Sequence, residues 1–292
     1  MRNIPAMGND RHIVSVVVPT MGRDTIRGCR DALACQTRVP DEVIIVMDKD
    51  RLGPSWARNE GIRRSRGDLI AFTDDDCIPP PNWLECLIRA IDRYDAAGAG
   101  GSFQETDSLL RAKRLRRGVP DTEQVDTAGW VGNTGNVMYR RSWLEKCLER
   151  DGFVFNESFT AFSGEDLELA WRLRLMGATF VFVPNTVIHL RRVTPSEYLA
   201  HQFDRGKGIA LLFLSHRSAH VPMAPQKSLL WDESGGGRGK KWWNVLRLKA
   251  IGPFDVGNFQ DAKDFAVFWI GEKCEGAGFV WQIATRWWVR SR

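Results

Sequence analysis

No apolar run in the 292 residues approaches the ~18 needed to cross a bilayer. The opening stretch, MRNIPAMGNDRH, lacks the apolar core of a secretory leader. Six cysteines, at 29, 35, 77, 86, 147 and 274, form no CxxC pair, so reduced thiols and a cytoplasmic protein are expected. GxxxxGK[ST] is missing, which excludes a P-loop. GxGxxG does not follow the first apolar run, where VVVPTMGRD stands instead, and this removes the main support for a dinucleotide oxidoreductase. The net charge of +5 would tolerate an anionic substrate or membrane surface. It is too weak to argue for a nucleic-acid partner.

What is present is ordinary globular composition, 43% hydrophobic and 26% charged. HIVSVVV (12–18), EVIIVM (42–47) and DLIAFT (68–73) read as buried strands. Between and after them, 25–36, 55–66 and 82–94 carry helical spacing. Ser55 is the expected cap of the second helix, and Asn82 with Glu85 the expected capping box of the third. Alternating strands and helices predict an α/β fold with a mainly parallel central sheet flanked by helices. Beyond residue 96 the pattern predicts a Gly-rich bend into a short strand at 96–103, a loop or short helix over 104–128 with the basic run RAKRLRR (111–117), a loop, short strand and helix within 129–150, and a helix over 162–177. A strand at 178–184 and a helix over 196–216 follow. SGGGRGKK (234–241) reads as a flexible junction. Seven of the twelve tryptophans fall in the last 62 residues. The expected organisation is therefore a main domain over 1–216 and a Trp-rich, helical C-terminal extension over 217–292.

In parallel sheets ligands gather at the carboxyl ends of the strands. Thr20, Asp48 and the run Asp74–Asp75–Asp76 each follow a strand and fall there together. Adjacent acids at a strand end can divide their work between a ribose hydroxyl and a hard divalent ion, Mg²⁺ or Mn²⁺. Asp166, in SGED, is either a capping-box acid behind Ser163 or a general base. His189 is either a structural hydrogen-bonder or a metal ligand. Arg205 and Lys207 form either a solvated helix face or a diphosphate contact. The basic run and the Trp/Arg tail offer a solvated face or packing surface on one reading, and peripheral membrane contact on the other.

VSVVVPTMGR, EVIIVMD, ARNEGI, GDLIAFTDDDCIPPPNWL, GNVMYRRSWLE and FSGEDLELAWRLRLMGA occur in the order and style of inverting family-2 glycosyltransferases. The resemblance covers roughly 12–216 and implies a GT-A nucleotide-diphospho-sugar transferase fold. By that resemblance, Pro19, Thr20, Arg23, Asp48, Arg58, Asp74 and Asp75 border the nucleotide, with Asn59 beside Arg58. Asp76 and His189 would serve the metal, Mn²⁺ or Mg²⁺. Trp130, Asn133 and Asn136 would line the sugar and acceptor. Asp166, with Glu165 beside it, resembles the catalytic base. The implied reaction moves a sugar from a nucleotide-diphospho-sugar to a glycan or lipid-linked acceptor hydroxyl, in bacterial surface polysaccharide or glycolipid assembly. MDKDRLGPS departs from the acid-pair-and-glycine style usual after the second strand. A sugar-1-phosphate nucleotidyltransferase would need a Gly-rich, Lys-bearing loop where PTMGRD stands. A non-catalytic nucleotide-sugar-binding subunit would have no use for the Glu165–Asp166 pair.

Overall fold

Val14–Thr20 forms β1, at the centre of a three-strand parallel block with Glu42–Met47 (β2) and Leu69–Phe72 (β3). The computed structural model describes residues 12–111, 120–126, 133–159, 164–215, 267 and 270–282. β1 and β3 are buried, as their β-branched runs predict. β2 departs from the expectation of a buried strand. It is the end strand of the sheet, with Val43 and Met47 exposed.

The remaining strands are Cys77–Ile78 (β4), Gly98–Glu105 (β5), Gln124–Asp126 (β6), Val137–Arg140 (β7) and Phe180–His189 (β8). The sheet order is β2-β1-β3-β7-β5-β8-β4, with β6 on β8. Three pairings are parallel and four antiparallel. The sheet is therefore mixed rather than mainly parallel. The short strands β4, β6 and β7 carry too few residues for a period to register, and they supply the antiparallel pairs. β7 reverses the direction once on each side. The carboxyl ends of β1, β2, β3, β5 and β8 therefore share one edge with the amino end of β7.

Helices cover the sheet: Ile26–Ala34 (α1), Pro54–Arg64 (α2), Trp83–Arg93 (α3), Arg141–Asp151 (α4), Glu165–Leu175 (α5) and Pro195–Ser215 (α6). One core packs α1 and α3 onto β1, β3 and β5 through Leu33, Leu84, Leu87 and Ile91. The other packs α4 and α5 onto the opposite face through Leu144, Leu169, Leu173 and Phe155. The expected caps differ in detail. Gly53, not Ser55, precedes α2, with Pro54 in its first turn. Asn82 occupies the cap position of α3 without a side-chain bond, and Glu85 accepts instead from Thr37 Oγ1 at 2.8 Å.

A helix over 270–282 (α7) crosses α6 at backbone contact. A Cβ on Gly206 would lie 1.9 Å from the Glu275 carbonyl oxygen, and one on Gly278 equally close to that of Phe203. Ile270, Val280 and Trp281 on α7 are exposed. Among the described residues no helix is long and apolar enough to cross a membrane. Most of the basic run, the 234–241 junction and most of the tail tryptophans lie outside the described residues.

Candidate active site

The shared edge of the sheet collects the acids that sequence position predicted. Thr20 Oγ1, at the end of β1, donates to Asp75 Oδ2 at 2.6 Å. Arg23 Nη1 stands between two acids, 3.1 Å from Asp75 Oδ1 and 3.0 Å from Asp76 Oδ2. Pro19 sits in β1 opposite Val46. Burial pushes the Asp75 carboxyl up, against the pull of Thr20 and Arg23. Burial acts the same way on Asp76, but His189 and Arg23 outweigh it and hold that carboxyl below its ordinary value. Two neighbouring acids are thus set apart by their environments.

His189 closes the site from β8. Its Nε2 lies 3.4 Å from Asp76 Oδ1 and its Nδ1 2.7 Å from Glu105 Oε2. Register explains the meeting, because His189 pairs with Glu105 on β5 and with Cys77 on β4. Burial lowers the affinity of His189 for a proton, yet the two carboxylates raise its pKa to about 9. Asp76, Cys77 and His189 could hold a metal by proximity. Asp76 oxygen and His189 nitrogen suit a hard or borderline divalent ion, with Glu105 orienting the imidazole from behind. Arg23, half-exposed at 48%, already places a cation on Asp76. The Cys77 thiol does not fit. Burial and the flanking acids push it well above its ordinary value, and hard ions prefer oxygen.

Asp48 is tied to its own loop. Its two carboxylate oxygens accept from Leu52 N at 2.9 Å and Gly53 N at 2.8 Å. This closes the segment in which Arg51 and Gly53 adopt positive φ. The departure MDKDRLGPS is therefore a compact turn capped by Asp48, at the place where the resemblance implies a base contact.

Arg58 is buried and bridges two regions. Its Nη2 donates to Asp74 Oδ1 and its Nη1 to Glu165 Oε1, both at 2.9 Å. Asn59 holds the chain after α4, donating to the Phe155 carbonyl at 2.9 Å and accepting from Phe155 N at the same distance. Gly61 lets α2 press on β1, since a Cβ there would meet Val17 Cγ1 at 2.2 Å.

Asp166 lies in the first turn of α5, half-buried, its Oδ1 accepting from Leu167 N at 2.8 Å. The cap is Gly164, in the left-handed region, rather than Ser163, which lies outside the described residues. This places Asp166 at the second helical position instead of the third. Burial and mutual repulsion push Glu165 up to about 7. Burial also raises Asp166, against Leu167 N, Arg58 and Arg205. A carboxylate raised in this way is a better proton acceptor at neutral pH.

Other expected residues take different places. The Asn136 amide is spent inside the protein. Its Oδ1 accepts from Trp83 Nε1, and its Nδ2 donates to the carbonyls of Ser102 and Asn185. It shapes the loop rather than presenting a group to a sugar. Asn133 is exposed and caps the same turn through Gly135 N. Trp130 lies outside the described residues. Arg205 lies 3.2 Å from Glu275 on α7, and Lys207 pairs with Asp204 at 2.6 Å. The field of Arg205 reaches Asp166, whereas Asp76 feels Arg191. Glu105 and Arg191 went unmarked in the sequence. Only the β5–β8 register brings Glu105 to His189.

Gly135 is wedged between Phe103 and the acid run. A Cβ there would lie 2.9 Å from the Phe103 ring and 3.0 Å from Asp74 Oδ2. Gly135→Ala is expected to cost about 1–2 kcal/mol in folding stability and to disturb the Asp74–Arg58 contact. Thermal unfolding of the variant checks this, and an unchanged Tm would show that the loop yields.

The sequence model of the family described as "Glycosyl transferase family 2" matches residues 48–148, from Asp48 through the acid run into α4. Among the curated relatives, the pre-mycofactocin glycosyltransferase of Mycobacterium tuberculosis is 27% identical over 253 residues, which cover 75% of this chain and 51% of that protein. Glycosyltransferase AglE of Haloferax volcanii is 35% identical over 173 residues, covering 58% and 54%. The chain spans about half the length of these relatives. A solved mannosyltransferase, PcManGT from Pyrobaculum calidifontis in complex with GDP-Man and Mn²⁺, aligns at a TM-score of 0.59 and 14% identity. That alignment covers 94% of this chain and 88% of the other. The fold is therefore GT-A, an α/β architecture with helices on both faces of a mixed sheet. Residues 48–148 match the family-2 glycosyltransferase model, and the two curated relatives named here are glycosyltransferases.

Proposed function

We propose that this protein transfers a sugar from a nucleotide-diphospho-sugar to an acceptor hydroxyl by metal-dependent, inverting displacement. The observation that carries the proposal is the reach of Arg58, from Asp74 in the acid run to Glu165 beside Asp166. It brings the donor-side acids and a proton acceptor to the same end of the sheet. The family-2 match and a fold shared with a protein solved with GDP-Man and Mn²⁺ support the same reading.

In this reading Asp76 and His189 hold a divalent ion, Mn²⁺ or Mg²⁺. When bound there, such an ion offsets the charge that grows on the diphosphate leaving group. Asp74 accepts from a ribose hydroxyl with the oxygen that Arg58 leaves free, and Thr20, Arg23 and Asp75 shape the wall beside it. Asp166 accepts the proton of the acceptor hydroxyl as that oxygen attacks the anomeric carbon. A single displacement, with base and leaving group on opposite faces of the sugar, inverts the anomeric centre. Arg205 steadies the charge on Asp166. The proposed acceptor is a glycan or lipid-linked saccharide in surface polysaccharide or glycolipid assembly. The exposed Val280 and Trp281 of α7 give apolar surface for peripheral contact with a membrane that carries it.

A thermal-shift panel of UDP-, GDP- and dTDP-sugars, with Mn²⁺ and with chelator, tests the donor assignment. One nucleotide class is expected to raise Tm with Mn²⁺ and to lose most of that gain with chelator. No shift from any donor would contradict the proposal.

A further inference from the structure

Arg58 does more than border a nucleotide. Its guanidinium is buried, and both of its terminal nitrogens are occupied by protein carboxylates. Two close contacts leave α2 little freedom to withdraw it: Gly61 against Val17, and Asn59 clasping the backbone of Phe155. The Arg58 guanidinium also lies 5.8 Å from the centre of the Phe155 ring. Among the described residues Glu165 Oε2 is buried with no hydrogen-bond partner, so Arg58 is the contact that compensates this acid.

We propose that Arg58 is a positioning residue. By gripping Asp74 with one nitrogen and Glu165 with the other, it fixes the first turn of α5 against the acid run and sets a positive charge beside the Glu165–Asp166 pair. The inference rests on the reading of Asp166 as the base. The charges facing the pair are Arg58 on α2, Asp74 after β3 and Arg205 on α6, with the buried Tyr139 hydroxyl on β7. Arg58 forms ion pairs with both the acid run, at Asp74, and the pair, at Glu165. Burial drives both acids toward their neutral forms, and Arg58 opposes it. Its loss leaves two adjacent carboxyl groups facing Arg205 among the described residues.

The test is the pH profile of kcat for Arg58→Gln and Arg58→Lys, alongside donor affinity by calorimetry. In Arg58→Gln the acid limb is expected to move up by about one pH unit or more, with donor Kd within about threefold of the parent. Arg58→Lys keeps a charge without the fork and is expected to recover most of the limb while kcat stays low. An unmoved limb overturns the proposal. An unmoved limb with donor Kd weakened tenfold or more would make Arg58 a nucleotide contact instead. Carboxyl ¹³C titration of the pair separates this result from failure of the transferase reading, because it needs no turnover. If Arg58→Gln does not fold, the double variant Arg58→Gln/Glu165→Gln removes both charges and is expected to fold and titrate as a single acid. Asp166 is expected to titrate higher in that variant than in Glu165→Gln alone, and equal titration in the two would overturn the role of Arg58.

Discussion

Replacing Asp166 by asparagine lowers kcat by about a thousandfold while donor affinity stays within a few-fold. The amide oxygen still accepts from Leu167 N, as Asp166 Oδ1 does at 2.8 Å, so the first turn of α5 keeps its shape. What disappears is a group able to take the acceptor proton. Initial-rate kinetics with calorimetry of donor binding measure both halves, and near-normal turnover would remove Asp166 from the base role. The raised carboxyls also place the pH dependence. Transfer is expected to fall on the acid side of neutrality, because burial raises the Asp166 carboxyl above its ordinary value and the proposed base becomes protonated there. The stability sign is opposite. Glu165 binds its proton more tightly when folded, so its contribution is full below the ordinary carboxyl value of 4.5 and is lost as pH rises through about 7. Asp166→Asn removes one of two repelling charges. At pH 8 its Tm is expected to equal or exceed that of the parent.

Replacing Asp76 by alanine weakens Mn²⁺-dependent donor binding by about a hundredfold, ~2.7 kcal/mol. His189 and Arg23 hold the Asp76 carboxyl below its ordinary value, and it sits opposite His189 Nε2. Its loss removes a charged oxygen ligand and also the carboxylate that helps aim the imidazole. Donor binding without metal should change far less. Calorimetry of donor with Mn²⁺ and with chelator makes the comparison. Equal affinities for parent and variant in Mn²⁺ would rule Asp76 out as a ligand. Asp75→Ala provides the contrast: Asp75 spends its oxygens on Thr20 and Arg23, and its loss should act on the shape of the wall more than on the metal.

The strands that carry the acids were legible because VSVVVPT, EVIIVM and LIAF are long or apolar enough to declare themselves, and carboxyl-end placement follows from strand order. The same logic gathered Thr20, Asp48 and the acid run at one edge, and His189 joins them because β8 runs on past the expected 184 to His189. The antiparallel pairings were not legible. β4 has two residues and β6 three, and their partners on β8 are set by long-range packing. Glu105 was hidden for that reason, since its role exists only through the β5–β8 register. Asn136 and Asp48 carry internal bonds that the sequence did not show. A polar residue beside a cleft looks available, yet a buried amide must satisfy its own hydrogen bonds, and Asn136 does so with Trp83, Ser102 and Asn185. Asp48 does the same with the turn it caps. Arg58 was visible in ARNEGI, but its two-acid grip needed α2 and α5 placed together.

The central claim is catalysis at the strand-end acids, with Asp166 as base. Release of nucleoside diphosphate from the donor class found by thermal shift, followed with Mn²⁺ in the parent protein and in Asp166→Asn, tests it most directly. The account predicts diphosphate release in step with sugar transfer in the parent, and almost none in a variant that still binds donor. A parent protein that binds the donor yet releases no nucleoside diphosphate, with acceptor or without, would mark a binding subunit and contradict the account.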